Sequence, residues 1–369
     1  MNKHHTFKTG LFISILITII FVYFAIFSRL FISSKSDKKE SVNVALITDS
    51  SDIDDSSYNQ YAYEGIKKYC EKVNISYGYY KPSDSSIESS LSSVDEAVKN
   101  GAELIVFPDS RLSETLYQAQ DRYQDINFIL VDGEPMSSDG TVVNIGDNVT
   151  SLLFDDDESG FLAGYSCVLC GYKTFAVIYN SDLTSDMHYY YGFLQGSDYA
   201  AKEADIQITI KSRDISSAGN EYITKFANKT YSKGTELIFT CDKDVCELVD
   251  KQASKCYGLV MNGGSNMTNL PSVLGSVTKN ISNAVYLELD SFYSGKFNGG
   301  ANITFNTTNN GIKLIINENL ISDFPKEKYD ITYKKLSDGT IPLISDTTVD
   351  TESLNLSNIT LKNTTPTDN

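Results

Sequence analysis

Histidine is nearly absent from this chain. Three occur in 369 residues, and His188 is the only one outside the extreme N-terminus. A multi-His metal centre is thereby excluded. No G-x-S-x-G, H-E-x-x-H or G-x-x-x-x-G-K-[ST] occurs either, so the usual nucleophile, zinc and phosphate-loop signatures are missing and an enzyme is not indicated. Basic residues are also scarce, with 31 Lys and Arg against 48 Asp and Glu for a net charge of −17. Residues 1–40 carry a net +4, which leaves −21 on the remainder. Such a surface repels phosphate backbones and excludes nucleic acid as a partner. Cysteine is limited to six residues, all after position 69. Cys167 and Cys170 form a C-x-x-C inside an apolar helical run, without a His or a second C-x-x-C, which suits buried thiols or a disulfide better than zinc. Cys241, Cys246 and Cys256 also lack zinc-ribbon spacing, and a disulfide between two of them fits an extracellular setting.

Charge is absent altogether from Thr9 to Ser28, where the run Leu11–Phe27 is almost wholly apolar. About 20 such residues span roughly 30 Å as a helix, the thickness of a bilayer core. The apolar region is long for a cleaved signal peptide, and small residues before a cut are missing, which predicts an uncleaved signal anchor. Lys and Arg after the span outnumber those before it, against the positive-inside bias. A short tail, a span and a large domain nevertheless form the layout of an exported, single-pass membrane protein. The expected organisation is a cytoplasmic tail at 1–8, a membrane span at 9–32, a tether at 33–40, a folded domain at 41–345 and a disordered polar tail at 346–369.

From residue 41, short β-branched runs such as Val42–Ile47, Leu104–Phe107 and Leu237–Phe239 alternate with amphipathic stretches such as Tyr61–Lys72 and Val245–Ser254. Strict alternation predicts an α/β fold of parallel strands with helices on both faces. The length suits two lobes, lobe 1 over about 41–147 plus 279–300 and lobe 2 over about 148–278. The remaining residues to about Leu343 read as C-terminal β-rich elements. Ile281–Tyr293 reads as a further helix.

The loop Asp54-Asp55-Ser56-Ser57-Tyr58-Asn59-Gln60 follows the first strand and precedes a helix. In open α/β sheets, ligands settle beyond the carboxyl ends of the strands, near helix N-termini. Tyr58 offers a ring face, Asn59 and Gln60 both donors and acceptors, and Asp54 and Asp55 acceptors. The same composition also serves as an ordinary helix N-cap. The acids Asp155-Asp156-Asp157-Glu158 suit a helix dipole and, less well, calcium.

The order of motifs resembles the basic membrane protein family of ABC-transporter substrate-binding proteins, which includes surface purine-nucleoside receptors. Asp55-Ser56-Ser57-Tyr58-Asn59-Gln60 is similar to the family's D-x-S-F-N-Q, and Asn127–Asp132 to its strand ending in Asp. Phe154–Gly164 is similar to F-x-x-x-E-x-G-F-L-A-G, and Tyr189–Gly196 to F-x-x-G-F-x-x-G. Ser276–Lys279 resembles S-x-x-K, and Gly295–Gly300 G-K-F-x-G-G. The resemblance implies a type I periplasmic-binding-protein-like fold of two lobes, a nucleoside-like small molecule between them, ABC permease subunits as partners, and no cofactor or metal. It assigns ring stacking to Tyr58, reading of the base edge to Asn59, sugar contact to Lys279 and a second-lobe aromatic to Tyr189, with Asp55 in the signature loop. Three departures stand out. The family strand ending I-G-V-D aligns with Tyr257-Gly258-Leu259-Val260, so the ribose-binding acid is missing at Val260, with Asn262 as a substitute. Asp109 replaces a glycine after Phe107-Pro108 and is either a new polar contact or a helix cap. The lipid-anchor cysteine is absent, and the apolar span takes its place. A membrane-anchored sensor or degenerate receptor of the same fold is the alternative reading.

Overall fold

The computed structural model describes residues 41–53 and 57–363; the expected span and tether, and Asp54 and Asp55 of the loop, lie outside them. Among the described residues no helix is long and apolar enough to cross a membrane. The chain first lays down β1 (Val44–Ile47), α1 (Tyr58–Val73), β2 (Tyr77–Tyr80), α2 (Ile87–Lys99), β3 (Leu104–Phe107), α3 (Ser113–Arg122), β4 (Asn127–Val131) and β5 (Val149–Phe154). It crosses to a second lobe for α4 (Asp156–Leu169), β6 (Thr174–Tyr179), α5 (Thr184–Glu203), β7 (Ile208–Asp214), α6 (Asn220–Ser232), β8 (Leu237–Thr240), α7 (Lys243–Cys256), β9 (Leu259–Gly264) and β10 (Val273–Lys279). It returns for α8 (Ile281–Tyr293) and β11 (Ala301–Phe305), then crosses again for β12 (Ile312–Ile316), α9 (Lys326–Ser337) and β13 (Ile359–Asn363).

The first sheet has the order β11-β5-β4-β3-β1-β2, with every pairing parallel. The second has the order β12-β10-β9-β8-β6-β7-β13 and is parallel except for β12, which runs antiparallel to β10. Central strands such as Val44–Ile47 and Leu104–Phe107 are buried throughout, because helices cover both faces and leave no solvent side to alternate toward. Each sheet accordingly separates two apolar clusters.

The lobe limits differ from those the sequence predicts. β5 belongs to the first sheet, so the first crossover falls at Asp155 rather than near 148. The segment after 300 is not a separate β-rich appendage: β11 joins the first sheet, while β12 and the helix α9 complete the second lobe. The expected disordered tail is partly ordered, since Ile359–Asn363 pairs in register with Ile208–Ser212 on the edge of the second sheet. Backbone pairing orders this polar strand, a contribution that hydrophobicity does not register. The six cysteines are free thiols.

Four glycines join α4 to α5. A Cβ at Gly160 or Gly164 would overlap the backbone of Tyr189 or Phe193, and one at Gly192 or Gly196 would overlap that of Asp157 or Phe161. The helices therefore meet backbone to backbone, which explains the two glycine-rich motifs as a packing seam. Gly196→Ala tests this. At an open helical site the change stabilises by about 1 kcal/mol, whereas overpacking here should cost roughly 1–3 kcal/mol, read as a lower urea midpoint.

Candidate functional site

A cavity of about 420 Å³ lies between the lobes. Its first-lobe wall comes from the segments after β1 and β3 (Asp49, Ser51, Ser57, Tyr58, Asp109, Arg111) and from Tyr61 of α1; its second-lobe wall comes from those after β8 and β9 (Asp242, Lys243, Asp244, Ser265, Asn266, Met267). All four strands end at the crevice, and α1 and α7 start there, so carboxyl ends of strands and amino ends of helices face a common space.

Tyr58, the first residue of α1, lines this cavity, and its Oη lies 3.2 Å from Asp132 Oδ2. Asp132 follows β4 in the left-handed region at φ 57°. Lys279, the last residue of β10, places Nζ 2.8 Å from both Asp132 oxygens and 3.3 Å from Asp156 Oδ1 at the start of α4. The Lys279 side chain is 7% exposed, so this is a buried ion pair linking the two sheets. Burial works against the ammonium, but the negative groups around it, led by Asp156, hold its pKa well above the usual lysine value. Burial pushes the Tyr58 phenol up, with Lys279 opposing.

Tyr189 of α5 is buried, and its ring lies over Gly263, where a Cβ would come within 2.8 Å of it. Burial, then the Asp156 charge, raises its hydroxyl pKa well above the usual value. Asn262 is fully buried, and its Nδ2 donates to the carbonyls of Gly263 (2.8 Å) and Ser265 (2.7 Å). Among the described residues, Tyr189 Oη and Asn262 Oδ1 have no hydrogen-bond partner.

Two assignments change. Val260 is not the strand end: it pairs with Ile238 in mid-strand and is buried in the apolar cluster behind the sheet. Asn262 sits opposite Thr240, the last residue of β8, two positions nearer the crevice end of the strand than Val260. Asn59 is buried with its amide turned to its own loop, since Nδ2 donates to Asp49 Oδ1 at 2.5 Å and to the Asp52 carbonyl at 3.3 Å. Its geometry holds the loop after β1 in place of reading a ligand edge.

Asp109 lines the cavity and acts as a cap, though of the 3-10 turn that leads into α3 and not of α3 itself, whose N-cap is Leu112. It caps the 3-10 turn Ser110–Leu112 by accepting from Arg111 N at 2.8 Å, and it binds the Arg111 guanidinium. Arg111 reaches on to Asp49 Oδ2 at 2.5 Å. Burial alone would raise the Asp49 carboxyl, but the Asn59 amide, the Ser51 N–H and Arg111 together hold it below the usual range. Sequence reasoning missed Arg111 and Asp49; the only signal was a basic residue just beyond a strand-ending Pro-Asp. Asp55 lies outside the described residues. The run of acids divides its work: Asp155 caps α4 through Glu158 N, Glu158 accepts from Thr307 N at 2.7 Å, and Asp157 contacts His188 Nδ1 at 3.0 Å. Among the described residues no group of acids, His and Cys is arranged to hold a metal.

Two lobes crossed three times by the chain, with a crevice at the strand ends, define a type I two-lobe solute-binding protein. The profile of the Bmp family, described as ABC transporter substrate-binding protein PnrA-like, matches residues 42–344, and the chain belongs to this family. It is 23% identical over 304 residues to the ABC transporter nucleoside-binding protein BmpA of Lactococcus lactis, covering 75% of this chain and 82% of that one. Its fold is similar to that of a solute-binding protein of an ABC transporter system from Conexibacter woesei, with TM-score 0.65, 16% identity, and 82% and 99% of the two chains covered. It is also similar to that of a transcriptional activator of the comK gene from Bacillus halodurans, with TM-score 0.63, 15% identity, and 81% and 99% covered.

Lys279→Met should lower stability by about 3–5 kcal/mol, because Asp132 and Asp156 are left buried without their cation; adding Asp132→Asn should recover part of the loss in urea unfolding. The Asp157 carboxyl is pushed up by burial to about 6, above its ordinary 3.8. The folded state then binds this proton more tightly than the unfolded chain, so stability from this group is gained as pH falls from about 6 toward 4. Urea unfolding of Asp157→Asn across that window should show a weaker pH dependence than the parent.

Proposed function

We propose that the protein is the extracytoplasmic binding component of an ABC transporter, anchored by its N-terminal apolar segment, and that its lobes close on a nucleoside or related small heterocycle. The observation that carries this reading is the presence, among the described residues, of two buried polar atoms without partners in the second lobe, Tyr189 Oη and Asn262 Oδ1, the first within electrostatic reach of Lys279 and Tyr58. Leaving such atoms unpaired costs about 1–3 kcal/mol each, a cost that sugar hydroxyls would relieve. On the first-lobe wall of the cavity, Tyr58 offers a ring on which a base would gain roughly 1–3 kcal/mol by stacking. The Lactococcus lactis relative, named as a nucleoside-binding protein, supports the same ligand class. Closure of the lobes would bury the ligand and present a joint surface to the permease.

A sensor reading keeps the fold and ligand but changes the readout. It draws support from the Bacillus halodurans neighbour described as a transcriptional activator. Ligand-stimulated ATPase activity of a permease reconstituted with the chain separates transport from sensing.

The ligand class is tested by a thermal-shift screen of the purified full-length chain against nucleosides, bases and free sugars, since a ligand that binds only the folded state raises its Tm. Nucleosides should give the largest shift, and no shift from any purine or pyrimidine would sink the assignment. Tyr189→Phe should leave the unliganded protein as stable or more so, while weakening nucleosides more than bare bases. Equal affinity of both classes for parent and variant would remove Tyr189 from the sugar.

A further inference from the structure

Away from the interlobe crevice, the C-terminal end of β7 opens on a separate cavity of about 360 Å³ beside the N-terminus of α6. Arg213, the second-last residue of β7, lines it and is only 4% exposed. Its guanidinium lies 5.5 Å from the ring centre of Tyr222 and 5.0 Å from that of Phe226. Among the described residues, its Nε and Nη1 have no hydrogen-bond partner. The neighbouring carboxylates are engaged elsewhere. Asp214 accepts from Ser216 N at 2.9 Å, from Ser181 N at 3.1 Å and from the Ser181 hydroxyl at 2.5 Å. Glu221 pairs with Lys225 at 2.6 Å and is largely exposed. A buried charge with open donors is costly unless something accepts from it.

Asp214 also lines the cavity, its charge met by the Ser216 and Ser181 donors, while the remaining wall favours negative charge. α6 begins at this cavity with Gly219 as its N-cap, so no side-chain oxygen is available to the first-turn N–H groups. Unsatisfied amides and the helix dipole make such an end an anion seat. Ser216 and Ser217 contribute hydroxyls to the same wall.

We propose that this cavity is an accessory site for a phosphoryl oxyanion, held by the Arg213 guanidinium on one side and the first turn of α6 on the other. A tetrahedral oxyanion presents oxygens in several directions and can meet both at once, whereas a planar carboxylate facing the guanidinium fork directs both of its oxygens to one side. The cavity is larger than a phosphate ion and includes the side chain of Tyr222, so a phosphomonoester and free phosphate share the chemistry. The site uses none of the residues that line the interlobe cavity.

Isothermal titration of the full-length chain with inorganic phosphate, phenyl phosphate and acetate at constant ionic strength tests this. Saturable binding of either phosphate, with acetate weaker, is the expected result. Tighter phenyl phosphate indicates an organic monoester as the natural occupant, and tighter inorganic phosphate indicates the free ion. Arg213→Met should lower affinity at least about tenfold, in line with the loss of a charged hydrogen bond. Because a buried arginine can also matter to folding, Gly219→Asp provides a second variant. No atom lies within 4 Å of a Cβ built there, and Asp is a favoured N-cap. The fold should therefore be kept or strengthened while its carboxylate occupies the helix end and repels the anion. Absence of saturable heat from both phosphates, acetate binding as tightly as phosphate, or parental affinity in Gly219→Asp would each overturn the proposal.

Discussion

The buried ion pair between Lys279 and Asp132 is the contact on which the two-lobe arrangement turns. One partner ends a strand of the second sheet and the other follows a strand of the first. Removing both charges from water costs several kcal/mol per ion, and a single contact does not repay that without excellent geometry and further polar neighbours. Here the neighbours are present: Asp132 is met by both Lys279 and Tyr58, and Lys279 also faces Asp156. The pair therefore fixes the relative position of β4, β10, α1 and α4 at one point, and the crevice opens beside that point.

Two other features keep the point rigid. The glycine seam sets α4 and α5 at backbone contact, which fixes the distance between Asp156 on one helix and Tyr189 on the other. The crossovers are tied by backbone hydrogen bonds, Asp155 N to the Phe305 carbonyl at 2.9 Å and Asn280 N to the Gly311 carbonyl at 2.7 Å. Both ties lie where the chain passes from one lobe to the other, at the points that motion between the lobes would load.

The α/β class, the order of the elements and the place of Tyr58 on the crevice wall are legible because apolar runs and glycine spacing are local signals. What was illegible depended on partners distant in sequence. Asn59 reads as a recognition residue from its type, and only the loop folding back to Asp49 shows where its amide goes. β9 runs on to Gly264, four positions past Val260, and this is hidden in the sequence because Gly263 and Gly264 look like a turn. β13 carries little apolar content and is a strand only because β7 offers an open edge. Arg111 acquires meaning from two aspartates, one of them 62 positions earlier in the chain.

The threefold crossing has a consequence for how the molecule is made. The first sheet lacks an edge until β11 is synthesised, and the second lacks both of its edges until β12 and β13 follow. Neither lobe can be completed in simple N-to-C order, because the last part of the chain supplies a border strand to each. During synthesis, β5, β7 and β10 therefore present open backbone edges, the surfaces most prone to pairing with the wrong strand. The −21 charge carried by the sequence after residue 40 keeps neighbouring nascent chains apart during that interval.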